Sequence, residues 1–220
     1  LKIGTNMNYA NTQQHYPDNQ TNSGSSGNMF YVANFMAPIY PLYIRDANGL
    51  IMKDRNGFTM YDYGDAKEAN FVRAFMNQSN PASAIALDKS LYKSHMFTGN
   101  FYAAAELYDG LKATAKVALG YYGTRFQQTL NPYYGQFANM GGQAYVYAAN
   151  SFTINQQYLL TYNKTFASSH NVDLLAGYEI FNYSQYSLSG TKTKLFNPDM
   201  AEVSNAILDP STSSSASYYA

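Results

Sequence analysis

The sequence predicts an all-β protein: an antiparallel segment of about five strands from a large transmembrane β-barrel, with long outer loops carrying short helices. Three observations predict it. The first is strict alternation of apolar and polar residues over long stretches. The stretch 91–125 is the clearest, because Phe97, Gly99, Phe101, Ala103 and Ala105 continue as Ala113, Ala115, Val117, Leu119 and Tyr121. A period of two is a strand period, and the Asp109-Gly110 pair between the two runs is a hairpin signal. The second is composition. Charged residues are 13% of the 220-residue chain, about half the usual ~25%, yet no run of ~18 apolar residues offers a membrane helix. Tyrosine dominates the aromatics, with 23 Tyr against 13 Phe and no Trp, and its amphipathic ring suits a membrane interface or the wall of a binding site. The third is the alternation of connections: long at 15–89, short at 108–110, long at 126–149, short at 167–170, long from 187 onward. Barrels of the bacterial outer membrane have short periplasmic turns and long outer loops.

The expected strands run 1–13, 91–107, 111–125, 151–166 and 171–184. In the first, Leu1, Ile3, Thr5, Met7 and Tyr9 share a face. Residues 15–89 are too long for a plain loop and should hold substructure. A helix is expected over Asn28–Met36 with Ser25 or Ser26 as its cap, and a second over Ala66–Met76, stopped by Asn80-Pro81. Turns are expected at Asp46-Ala47-Asn48-Gly49 and at Asp54-Arg55-Asn56-Gly57. In the strand 151–166, Phe152, Ile154, Tyr158, Leu160, Tyr162 and Phe166 share a face that Gln156 and Lys164 interrupt. Lys164, near the end, is placed to snorkel toward the headgroups; Gln156 has no explanation in the pattern. Val172, Leu174, Ala176, Tyr178 and Ile180 continue the apolar face beyond the turn at 167–170. The tail from Leu208, rich in Ser and Thr, reads as low-complexity and mobile, although Tyr218 and Tyr219 have the character of a further strand.

The chain has zero net charge, no basic block and no cysteine. A nucleic-acid partner is therefore not expected, nor a disulfide frame or thiol chemistry. No G-x-S-x-G, H-E-x-x-H or P-loop occurs, and His15, His95 and His170 are scattered, so no enzyme activity, catalytic residue or metal centre is predicted. Calcium in the outer loops is the alternative reading of the two Asp-x-Asn-Gly segments, which lack the glutamate that closes a calcium loop. By parity the faces opposite the apolar ones carry Asn100, Glu106, Lys116, Asp173 and Glu179. In a barrel these line a polar lumen, where a charge needs no catalytic role. The loop aromatics Tyr61, Tyr63, Tyr133, Tyr134 and Phe137 are the candidate substrate-binding residues; packing of loop against loop is the alternative.

Four segments carry a family resemblance: NMFYVANFMAPIYPLYIRDANG at 28–49, YDYG at 61–64, SHMFTGNFYAAAELYDGLKATAKVAL at 94–119 and QQYLLTYNKTFASSHNVDLLAGYE at 156–179. Together they resemble the barrel of SusC/RagA-type TonB-dependent outer-membrane transporters, over nearly all of residues 1–200. The resemblance implies a roughly 22-stranded barrel with an N-terminal plug, in the outer membrane of a Gram-negative bacterium. It further implies energy from the TonB complex acting through the plug, a SusD-like surface lipoprotein over the outer loops, and a glycan or peptide as substrate. This sequence has no plug, no TonB-contacting segment and no closing strand. It opens inside a strand pattern with no signal peptide, as expected of a fragment of a longer chain. The competing expectations are a soluble or surface-anchored, adhesin-like glycan-binding β-protein and a passive porin.

Overall fold

The computed structural model describes residues 1–15, 29–65, 70–75, 79–135 and 137–219. It is one antiparallel sheet of six strands, ordered as in the sequence. They are β1 (Lys2–Gln14), β2 (Lys89–Tyr108), β3 (Leu111–Leu130), β4 (Gln143–Phe166), β5 (His170–Leu195) and β6 (Ala206–Tyr219). Two helices, α1 (Met29–Phe35) and α2 (Pro81–Leu87), lie in the connection between β1 and β2. The long connections all leave one end of the sheet, and the tight turns Asp109-Gly110 and 167–169 close the other. Gly110 has φ 79°, and Ala167 and Ser168 also take positive φ (50° and 57°). A tight hairpin that follows the twist of its strands needs such angles.

Several expectations are corrected. Among the described residues the strands number six, not about five. β3 ends at Leu130 and β4 begins at Gln143, so the expected loop 126–149 shrinks to 131–142. β5 runs on to Leu195, and the Ser-rich tail pairs with it as β6 instead of forming a mobile end. The physical reason is visible in β3 and β4. Consecutive Gln128 and Thr129 are both buried, and so are Ala144 and Ala149, which parity puts on opposite faces. A strand covered on both sides has no period of two. The helix expected at 66–76 is also corrected where it is described. Residues 70–75 are bends and coil, and the remainder of that stretch lies outside the described residues, as do Ser25 and Ser26. The helix over 28–36 is present as α1. Asn80-Pro81, read as a stop, starts α2 instead. The Asn80 side chain accepts from the amides of Ala82 and Ser83, with proline at the first helical position.

Register sorts the two faces. Tyr9, Phe97, Tyr121 and Phe152 form one row of neighbours across β1–β4, joined by Ser184 of β5. From this row to the Leu111–Tyr162–Leu174 row, no residue of that face is charged on β3, β4 or β5. One row beyond the aromatics stand Asn11, His95, Gly123 and Asn150, and the next holds Gln13, Lys93 and Arg125. Gln156 does fall inside the apolar face, between Val117 and Ile180. Its Oε1 accepts from the Tyr158 hydroxyl at 2.9 Å, which pairs one of its polar atoms locally. Lys164 forms an ion pair with Asp109 (3.2 Å) and lies over the Phe166 ring.

Within this half of the sheet neither face is covered by described residues. Leu174 and Tyr178 are 62% and 66% exposed on the apolar face. Apart from Ala104 of β2, the buried hydrophobic residues lie among the long connections and the strand ends beside them, chiefly Val32, Ile44, Tyr61 and Tyr63.

Candidate functional site

The connection from β1 to β2 builds a small domain of its own. Isolated bridges Tyr43–Tyr61, Arg45–Ile51 and Lys53–Thr59 make a short antiparallel meander, and the two Asp-x-Asn-Gly segments are its turns. In each, the aspartate Oδ1 accepts two backbone N–H groups: Asp46 from Asn48 and Leu50, Asp54 from Asn56 and Phe58, at 2.8–3.0 Å. Gly49 and Gly57 supply the positive φ that closes the turn. The turn role expected of these segments is what the geometry shows.

Beneath the meander lies a polar core. Asp62, Arg73 and Asn80 are 1%, 3% and 2% exposed. The Asp62 carboxylate accepts from the amides of Gly64 (2.7 Å) and Asn70 (2.9 Å). Its backbone carbonyl receives both Arg73 Nη2 (2.6 Å) and Asn80 Nδ2 (2.7 Å). Arg73 Nη1 donates to the Ser79 carbonyl, and Asn80 Nδ2 also reaches the Leu42 carbonyl. Buried polar groups are affordable only when bonded in this way. Burial pulls the Arg73 guanidinium below its ordinary value, while Asp62 beside it works in the opposite direction.

Three of the five candidate aromatics, Tyr61, Tyr63 and Tyr134, meet one another. Tyr63 stacks on Tyr134 with centroids 6.2 Å apart and rings 6° from parallel, and Tyr61 meets Tyr134 edge-on at 5.6 Å. Tyr133 stacks with Phe58, which sequence reasoning did not select. Tyr61 and Tyr63 are buried; Tyr133 and Phe58 are exposed, at 41% and 43%. Phe137 is half-buried beside the turn at Ala138–Met140, in the same loop. The arrangement therefore joins the β1–β2 and β3–β4 connections through Tyr61, Tyr63 and Tyr134, and leaves Phe58 and Tyr133 as the open aromatic surface. Asn131 fixes that surface. Its Oδ1 accepts the amides of Tyr133 and Tyr134, and its own amide and Nδ2 both donate to Asp88.

Sequence reasoning missed Asp62, Arg73, Asn80, Asp88 and Asn131. The signal for Asn80 was present, since Asn followed by Pro marks a helix start as readily as a stop. Asp88 and Asn131 are joined across 43 residues, and Asp62 and Arg73 meet through an irregular loop with no local signature.

The five polar strand residues fall together as parity required. Asn100, Glu106, Lys116, Asp173 and Glu179 all lie on the face opposite the apolar band. Glu179 accepts from Asn155 (2.7 Å) and Gln157 (3.0 Å), Asp173 pairs with Asn163, and Glu106 stands across from Lys112.

Burial pushes the Tyr63 phenol well above its ordinary value, with the Ser83 hydrogen bond pulling part of the way back. A raised phenol keeps its full contribution below the ordinary value near 10 and loses it as pH climbs from there through the raised value. The β1–β2 domain should therefore loosen above pH ~10. Absorbance at 295 nm should show Tyr63 ionising only as the domain opens. Tyr63→Phe should reduce that alkaline loss and leave the share of Tyr61, whose phenol burial also raises, because Ser83 Oγ keeps its bond to the Asn80 carbonyl. An unchanged alkaline transition in the variant would refute the assignment.

No known protein-family model matches this chain, and no curated protein matches it. The fold class is thus defined by the sheet itself, an all-β open antiparallel sheet.

Proposed function

We propose that this chain is a section of an outer-membrane β-barrel wall, and that the barrel is a TonB-dependent importer of glycans or peptides. One observation carries the wall. The uncharged face spans Leu111–Tyr121 on β3 and, in register, Phe152–Tyr162 on β4 and Leu174–Ser184 on β5. That matches the roughly 9–11 residues of a tilted membrane strand. About ten steps of ~3.3 Å at ~40° tilt give a height of ~25 Å, the height of the apolar band of such barrels. The aromatic row at its edge and the polar rows beyond it fit an interface girdle. A soluble sheet would instead need a second layer over this face.

The importer reading rests on the resemblance to SusC/RagA-type transporters. In it, the chemistry is binding and gated passage, with no bond made or broken. The polar face lines the lumen, and Phe58 and Tyr133 are the part of the aromatic cluster open to substrate or to a SusD-like lid.

The chain has no cysteine, so single cysteines can be read without background. Val117→Cys should resist a membrane-impermeant maleimide in proteoliposomes, and Ala118→Cys should react. Equal labelling at the two sites would defeat the wall reading. Import is tested in cells producing the transporter, by uptake of labelled oligosaccharides and peptides with and without a protonophore. Uptake indifferent to the protonophore would favour a passive pore.

A further inference from the structure

On the apolar face, charge begins abruptly beyond the aromatic row. Lys93 of β2 and Arg125 of β3 are direct cross-strand partners, both exposed. Like charges set opposite each other destabilise a sheet unless an anion lies between them. Arg125 Nη2 reaches Glu202 Oε1 at 2.6 Å, which answers one of the two charges. Farther along β2, Lys89 pairs with Asp199. These two contacts, with Gln127 donating to Glu202, anchor the 196–205 connection to this face. Lys93 lies between the two ion pairs and takes part in none of the ion pairs among the described residues. Its row continues with Gln13 of β1, and the row toward the aromatics holds Asn11 and His95. The Tyr9 hydroxyl meets His95 Nδ1 at 2.8 Å. The patch is thus rich in donors, and both nearby carboxylates are already engaged.

Depth identifies what such a patch would meet. Lys93 stands four residues from Phe97 of the aromatic row, ~13 Å along the strand and ~10 Å along the membrane normal at ~40° tilt. A lysine stem can bend back toward the interface from there. We propose that Lys93 and Arg125, flanked by His95 and Gln13, bind the phosphate of an anionic lipid headgroup in the leaflet beside the long connections. Arg125 presents the remainder of its planar fork to the phosphate, and Lys93 supplies a mobile point charge. The inference rests on the wall reading proposed above.

The test uses the purified whole barrel that contains this chain, in phosphatidylcholine nanodiscs doped with a phosphorylated lipid A, or with the same lipid dephosphorylated. Lipid retained by the protein is measured by native mass spectrometry. The phosphorylated form should be enriched, and the Lys93→Gln/Arg125→Gln variant should lose about tenfold in enrichment, on the scale of one or two charge-assisted hydrogen bonds. Lys93→Arg should retain it, which separates charge from folding, and Lys53→Gln/Arg55→Gln in the meander should leave it unchanged. Equal retention of the dephosphorylated lipid, or an unaffected double variant, overturns the inference. So does displacement by millimolar inorganic phosphate, which would mark a site for a soluble anion. Failure of the whole barrel to enter nanodiscs would overturn the wall reading together with it.

Discussion

Arginine in place of Val117 is expected to lower stability in lipid by ~2–4 kcal/mol, whereas arginine in place of the adjacent Ala118, on a water-facing surface, should stay within ~0.5 kcal/mol. The two residues are neighbours in sequence on one strand, so propensity and strand position nearly cancel. What differs is the face. Val117 lies between Phe101 and Gln156, near mid-height of the uncharged band. Ala118 lies between Asn100 and Asn155 on the polar face, where water in a lumen would solvate a guanidinium. Reversible unfolding by guanidinium from vesicles would measure the difference. Equal costs would mean that the two faces meet the same solvent, and a soluble sheet covered by another layer would then account better for the strands.

The strands were legible where one face alone is apolar. Leu111–Tyr121 could be read residue by residue, and its face assignment agrees with the register of every neighbouring strand. Legibility ended where the sheet leaves the band. Around Gln128–Thr129 and Ala144–Ala149 both faces are covered, and alternation disappears although the ladder continues. β6 was hidden for another reason. Its Ser and Thr residues resemble a linker by composition, and only the ladder from Ser184–Tyr219 to Leu195–Ala206 reveals it as a strand. Composition describes what a segment can bury, whereas backbone pairing also depends on the neighbour it finds.

The site divides in the same way. The aromatics could be named from sequence because tyrosines clustered in loops are conspicuous, and three of them, Tyr61, Tyr63 and Tyr134, do converge. Their roles could not be separated, since Tyr134 and Tyr133 are adjacent and chemically identical. One packs between Tyr61 and Tyr63 while the other stacks on Phe58. The polar core that mounts them depends on pairs such as Asp88–Asn131, joined across 43 residues, which no window of sequence contains.

That polar core sets the second large expectation. Arg73→Met should destabilise the β1–β2 domain by about 3 kcal/mol, the scale for breaking a buried charged network. Methionine fills much of the same volume but donates nothing. The Ser79 carbonyl would lose its Arg73 donor, and the Asp62 carbonyl would keep Asn80 alone. The buried Asp62 carboxylate would also lose the cation beside it, leaving its charge supported by the two amides of Gly64 and Asn70. The effect should be local, because the domain has its own buried residues and the strand ladders do not pass through it. Hydrogen exchange should therefore rise over 43–64 and 79–88 while β3 and β4 stay protected. Arg55→Met, at an exposed turn, should stay within ~0.5 kcal/mol. If Arg73→Met left exchange in the domain unchanged, the aromatic contacts alone would be holding Tyr61, Tyr63 and Tyr134 in place. If it loosened β3 and β4 as well, the domain and the sheet would be one cooperative unit, and the long connections could not rearrange without disturbing the strands.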